Sequence, residues 1–112
     1  MAFIWPEVAR SYGEAAEAVA KSIGGSVLAC DITDMHAAAK IREHAQQHHG
    51  GLDIVVHNAG ITRDKMLANM PEDRWGQVLD VNLLSLMRTN DALIDYLRDC
   101  GRVICLSSIG GI

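Results

Sequence analysis

Short apolar runs of strand length alternate along this chain with stretches of helical period, and glycine pairs punctuate the joins. Asp53-Ile54-Val55-Val56-His57 and Arg102-Val103-Ile104-Cys105-Leu106 are near-continuous apolar runs, the pattern of strands buried on both faces. Ala2-Phe3-Ile4-Trp5, closed by Pro6, and Ser26-Val27-Leu28-Ala29-Cys30 supply two further strands. Strands separated by helices of this length imply right-handed crossovers and a parallel sheet with helices on both faces. The expectation is one α/β domain over residues 1–112, without internal repeat or linker.

Between the strands, residues 11–23 place Tyr12, Ala15, Ala16, Val19 and Ile23 on one helical face, and Gly24-Gly25 end that helix. Thr33 or Asp34 caps a second helix over 35–48, with Ala38, Ile41 and Ala45 inward and Gly50-Gly51 as its stop. A loop runs from Gly60 to about Asn69. Pro71 suits the first position of a long third helix, although Met70 is a poor cap before it. That helix carries Trp75, Leu79, Leu83, Leu86, Leu93 and Leu97 along one side and Val78, Val81 and Leu84 along another. The last strand is expected to begin near Arg102.

Composition excludes several function classes. With 49% hydrophobic and 21% charged residues the chain is globular rather than disordered. Its net charge of −4 and lack of a basic block give nucleic-acid or anionic-membrane binding no electrostatic support. No apolar run approaches the ~18 residues of a membrane span, and Met1–Glu7 lacks the basic and apolar regions of a signal peptide. Three cysteines without CxxC spacing, two of them at strand positions, read as small hydrophobes, with Cys30 and Cys105 expected to be buried. A cytoplasmic setting is expected.

Three elements, in order, carry chemistry: His57-Asn58-Ala59-Gly60 at a strand end, Asp80-Val81-Asn82-Leu83 in a helix, and Ser107-Ser108 at a second strand end with glycines behind it. Together they resemble the short-chain dehydrogenase/reductase family over residues 7–112. The run His57–Asp64 is most similar to the branch that reduces 3-oxoacyl thioesters on acyl carrier protein. The resemblance implies a partial Rossmann-like three-layer fold and NAD(P)H-dependent reduction of a 3-oxoacyl thioester to its 3-hydroxyacyl form. In the family a tyrosine protonates the carbonyl oxygen, and a lysine binds the ribose and lowers the tyrosine pKa.

The resemblance also implies roles for particular residues. Asn58-Ala59-Gly60 matches the family's Asn-Asn-Ala-Gly, with His57 in place of the first Asn; Asn58 and its backbone would contact the adenosine ribose and brace the central strands. An ordinary strand-to-loop turn is the plainer reading. Asp31-Ile32 matches a pair that contacts adenine, the carboxylate accepting from the amino group, while helix capping is the alternative for Asp31. Glu7 aligns loosely with an acidic residue on the ribose 2′-OH. Ser108 matches the serine that hydrogen-bonds the substrate carbonyl, with Ser107 the alternative or both as plain strand-end serines. Asn82 matches a helix asparagine holding a water in the proton relay, against a structural role. His44, His48 and His49 share a helix end, but nothing is placed to complete a metal site and none is expected. The helix over 71–97 would pair subunits in a homo-oligomer, or pack within the molecule.

Two family features do not occur in these residues. No glycine-rich turn follows a strand, because Gly24-Gly25 and Gly50-Gly51 each follow a helix. No Tyr-x-x-x-Lys occurs either; Tyr12 and Tyr96 are followed four positions on by Ala16 and Cys100. The expected fold therefore lacks the first βα unit and the C-terminal units. The family's opening strand lies mid-sheet, so its absence should leave two strand pairs without a shared neighbour, each with an unpaired edge. Residues 2–5 in the vacant place would be the alternative. Low stability, or rescue by a partner, follows. A reductase lineage with little activity alone is expected; a fragment complemented by another chain, a non-catalytic remnant and a helix-mediated interaction module are the alternatives.

Overall fold

The computed structural model describes residues 2–5, 10–58, 60 and 69–107. Strand β1 (Ala2–Trp5) leads through α1 (Arg10–Ser22) to β2 (Ser26–Ala29), and α2 (Ala37–His49) leads on to β3 (Leu52–His57). The third helical stretch consists of α3 (Glu72–Leu79), a π-helical turn (Asp80–Leu84), α4 (Ser85–Leu93) and a 3₁₀ turn (Ile94–Tyr96). Strand β4 (Leu97–Cys105) follows. Every ladder is parallel, as the alternation of elements requires.

The sheet is split in two. β1 pairs with β2 from Ala2/Ser26 to Trp5/Ala29, and β3 pairs with β4 from Leu52/Leu97 to His57/Cys105. No ladder joins the pairs among the described residues, so β1 does not take the vacant central place. The pairs are held together through α2 instead. Cys30, Ala37, Ile41 and Leu93 form the buried cluster, with Leu28 and Ile32 packed on it from the first pair's side and Leu52 and Val55 from the second.

Glycines end the helices as expected. Gly24 (φ 70°) follows α1, and Gly50 (φ 70°) caps α2 with its N–H donating to the Gln46 carbonyl. Several expectations need correction. α1 buries Ala16 and Ala20, whereas Val19 and Ile23 are exposed, because its main contacts among the described elements are with the small first strand pair. α2 buries Ala37 rather than Ala38, with Ile41 and Ala45 as expected. Its N-cap is His36 without a side-chain bond, because Asp34 Oδ1 accepts the His36 N–H one turn earlier. Pro71 is the N-cap of α3, one position before the first helical residue.

The apolar side expected of the long helix holds only in part: Leu93 is buried and Leu79, Leu86 and Leu97 are half-buried. Its buried residues are Ser85, Thr89 and Leu93, while Trp75 and Leu83 are exposed. The extra residue of the π turn shifts the helical phase within Asp80–Leu84, which contributes to the burial of Ser85 and Thr89 just after it. β4 begins at Leu97, five residues before the expected Arg102, and its ladder steps from Leu52/Leu97 to Ile54/Arg102. Residues 98–101 thus bulge opposite Asp53. Neither β3 nor β4 is buried on both faces: Ile54, Val56 and Ile104 stand open, and Cys105 is exposed while Cys30 is buried.

Candidate functional site

The end of β3 and the π turn meet. Leu106 N–H donates to the His57 carbonyl at 3.1 Å, extending the ladder one residue past β4 and fixing the direction in which Asn58 leaves the sheet. Asn82 lies within the π turn, where Ser85 Oγ donates to the Val81 carbonyl at 2.6 Å and its N–H reaches the Asp80 carbonyl. A π turn is a costly irregularity that often marks a functional position. Here it directs the Asn82 amide at Gly60: Asn82 Oδ1 is 3.5 Å from where a Gly60 Cβ would stand. With hydrogen in place of that Cβ, the backbone at Gly60 is open beside the amide, and both Asn58 and Gly60 are exposed.

A second group reaches the same helix from β2. Thr33 N–H and Oγ1 donate to Asp31 Oδ1 at 2.9 and 2.7 Å, a local turn that fixes the carboxylate. Asp31 is thus organised around Thr33 and does not cap α2. Its carboxylate is exposed, whereas Ile32 is half-buried against the core. Arg88 joins this turn to the π turn, donating to the Thr33 carbonyl at 3.5 Å and pairing with Asp80 at 3.8 Å. Asp31, Ile32, Asn82 and Gly60 therefore belong to one connected framework. Arg88 was not visible as part of it from sequence, because its partners lie 8 and 55 positions away.

His57 faces inward from β3. Nε2 of its ring is buried without a hydrogen-bond partner among the described residues. Burial pushes the imidazole below its usual pKa, and the polar side chain of Asn90 on α4 opposes that in part.

The histidine group at the end of α2 is a packing device around Ser26. Ser26 Oγ is 2.7 Å from His44 Nε2 and 2.8 Å from His49 Nε2, and the His44 and His48 rings are 4.3 Å apart. A hydroxyl carries one proton, so Ser26 donates to one ring and accepts from the other. Among the described residues, no group of three or more His, Cys, Asp or Glu side chains is arranged for a metal ion, and no helix is long and apolar enough to cross a membrane. Ala59, Ser108 and Glu7 lie outside the described residues; Ser107 is exposed just after β4.

Residues 5–112 match the family model described as Enoyl-(Acyl carrier protein) reductase. The chain is 39% identical over 94 residues to the 3-oxoacyl-[acyl-carrier-protein] reductase FabG of Pseudomonas aeruginosa, covering 82% of this chain and 38% of that one. A short-chain dehydrogenase/reductase from Serratia marcescens superposes with a TM-score of 0.81 at 29% identity over 96% of this chain and 44% of its own. A short-chain dehydrogenase from Burkholderia cenocepacia, solved in complex with NADP, gives 0.80 at 25% identity, with the same two coverages. The chain thus spans well under half the length of the relatives it matches.

Proposed function

The chain belongs to the short-chain dehydrogenase/reductase family, and on that premise we propose that it carries part of the site of an NAD(P)H-dependent oxidoreductase whose substrate is a 3-oxoacyl thioester. The observation that carries this reading is the π turn that sets Asn82 against the open backbone of Gly60. The relatives named 3-oxoacyl-[acyl-carrier-protein] reductase support the substrate class, and the NADP complex of the Burkholderia enzyme supports the cofactor class.

The residues present fit the adenosine half of a dinucleotide. The exposed Asp31 carboxylate, fixed by Thr33, suits the adenine amino group, and half-buried Ile32 offers an apolar edge beside it. Asn58, Ala59 and Gly60 would face the ribose at a strand end, where a missing side chain lets a flat group approach the backbone. When bound, a reduced nicotinamide supplies hydride to the carbonyl carbon. Ser108 would donate a hydrogen bond to the carbonyl oxygen as charge gathers there, and Asn82 would hold a water for the proton path. These 112 residues contain no Tyr-x-x-x-Lys and no glycine-rich turn after a strand. Lacking a general acid forfeits a factor of about 10²–10⁴, so the chain by itself is read as weakly active or inactive.

Chemical-shift mapping with NADPH tests the binding part. Perturbations at Asp31, Ile32, Asn58, Gly60 and Asn82 support the reading, whereas none there at saturating nucleotide removes it. A second reading, a helix-mediated interaction module, is favoured by the exposure of Trp75, Leu83 and Met87 along the third helical stretch. Concentration-dependent dimerisation without nucleotide binding would select it.

A further inference from the structure

β2 is tied to the helices at both of its ends. Beyond its carboxyl end, Arg88 of α4 donates to the Thr33 carbonyl. At its first residue, Ser26 Oγ lies 2.7 Å from His44 Nε2 and 2.8 Å from His49 Nε2, both on the last turns of α2. No ladder joins β1–β2 to β3–β4 among the described residues, so the first strand pair leans on these ties and on the buried cluster. We propose that Ser26, His44 and His49 form an acid-sensitive latch between β2 and α2, closed while at most one of the two rings is protonated and opened when both are.

The hydroxyl sets this proton count. It offers one donor and two acceptor lone pairs. With both rings neutral, Ser26 donates to the bare Nε2 of one and accepts from the Nε2–H of the other. A proton taken up at the bare Nε2 turns that ring into a second donor. Both N–H groups then fill the two lone pairs of Oγ, and the hydroxyl proton turns away. A second proton leaves two cations on either side of one oxygen, where their repulsion in a half-buried site is several times thermal energy. Nothing of opposite sign is placed to offset it. The ion pairs among the described residues are Lys40–Asp34, Arg88–Asp80 and Arg98–Asp53, none of them with a histidine. On α2 itself, the His48 ring is 4.3 Å from that of His44. The α-amino group of the chain adds a positive charge that acts on His49. From β4, the Arg98 guanidinium lies 3.4 Å from the His49 carbonyl and is paired with Asp53. From α1, Glu17 and Lys21 line a hollow with Ser26 and Val27, one charge of each sign. Burial and neighbouring histidines already hold His44 and His49 below the usual imidazole pKa. The latch therefore opens on acidification below the ordinary imidazole range, freeing the start of the strand that leads to Asp31 and Ile32.

The test is NMR of the full chain from pH 8 downward, following the ring nitrogens of His44 and His49 and the amide hydrogen exchange of both strand pairs. In the wild type the two rings are expected to titrate in two separated steps, as interacting sites do. Across the second step the β1–β2 amides should lose protection relative to those of β3–β4 by roughly 2- to 10-fold, the worth of about one hydrogen bond. Ser26→Thr keeps the hydroxyl and should keep both behaviours. Ser26→Ala removes the oxygen that holds the rings together, so the two steps should converge and β1–β2 should show the lower protection already at pH 8. The proposal is overturned if both wild-type rings titrate together as independent imidazoles, or if the second step leaves the relative protection unchanged. Both are read on the wild type and need no variant to fold. It is equally overturned if Ser26→Ala keeps the two steps apart. No arm involves nucleotide or turnover, so failure here leaves the oxidoreductase reading standing.

Discussion

Cys100 and Gly101 are neighbours in the bulge of β4, and physical chemistry asks opposite substitutions of them. Cys100 has φ 66°, a left-handed conformation that costs a non-glycine residue about 1–2 kcal/mol. Cys100→Gly removes that strain and adds freedom to the unfolded chain, so a gain of about 0.5–1 kcal/mol is expected. At Gly101 a Cβ would lie 2.9 Å from the Arg98 carbonyl oxygen and 3.1 Å from that of Asp53. Both are backbone atoms that cannot yield cheaply, so Gly101→Ala should cost about 1–3 kcal/mol. Urea midpoints of the two variants check the pair of signs. The histidines predict how stability follows pH. Burial lowers the pKa of His44, His49 and His57, and neighbouring histidines add to the effect at the first two. A group whose folded pKa is depressed favours the neutral form in the folded state. Its contribution is therefore present above the unfolded pKa and lost as pH falls through the folded one. The urea midpoint should be flat from pH 8 to about pH 7 and fall as the pH is lowered past the ordinary imidazole value of about 6.5. A midpoint that rises on acidification through that window contradicts the assignment.

At the scale of elements, the strands differ in how much they depend on the core. Ile41, 3% exposed in the cluster that joins both strand pairs, should cost about 2–5 kcal/mol as Ile41→Ala, enough to unfold a marginal chain. Val56 on the open face of β3 is 53% exposed, so Val56→Thr should stay within about 0.5 kcal/mol of the parent. Denaturation of the two variants by circular dichroism measures both. The same contrast explains what was legible in the sequence. The apolar runs and the glycine pairs after α1 and α2 marked the elements and their stops, because those signals are local. Burial of β3, β4 and Cys105 was misread because it depends on what covers a strand, which no local pattern encodes. The π turn escaped because one added residue leaves composition unchanged and alters only phase. Leu97 looked like a further helical leucine, and the last strand was expected to begin only near Arg102, past the bulge. Asn82, Asn58 and Gly60 were proposed for the site by resemblance, whereas Arg88 has no sequence signal because it meets Thr33 only through the fold.

The whole molecule is more open than its mass predicts. Its accessible surface is 8192 Å², against about 6,100 Å² for a compact protein of 12.2 kDa. The Cα radius of gyration, 15.1 Å, likewise exceeds the ~13 Å of a compact chain of this length. The excess surface, about 2,000 Å², is comparable to what a standard protein interface buries in total. Large apolar side chains stand exposed on the open face of β3–β4, with Ile54, Val56 and Ile104, and on the helix side, with Trp75, Leu83 and Met87. Two strand pairs with no ladder between them among the described residues, joined through a helix and a shared core, still hold Asp31, Gly60 and Asn82 on one framework. The central proposal is that this framework carries the nucleotide-facing part of a carbonyl-reducing site, and that these 112 residues alone supply no general acid for it. The most direct test is the initial rate of NADPH oxidation by the purified 112-residue chain with an acetoacetyl thioester. A rate indistinguishable from the protein-free blank is expected, and sustained turnover proportional to chain concentration would contradict the account.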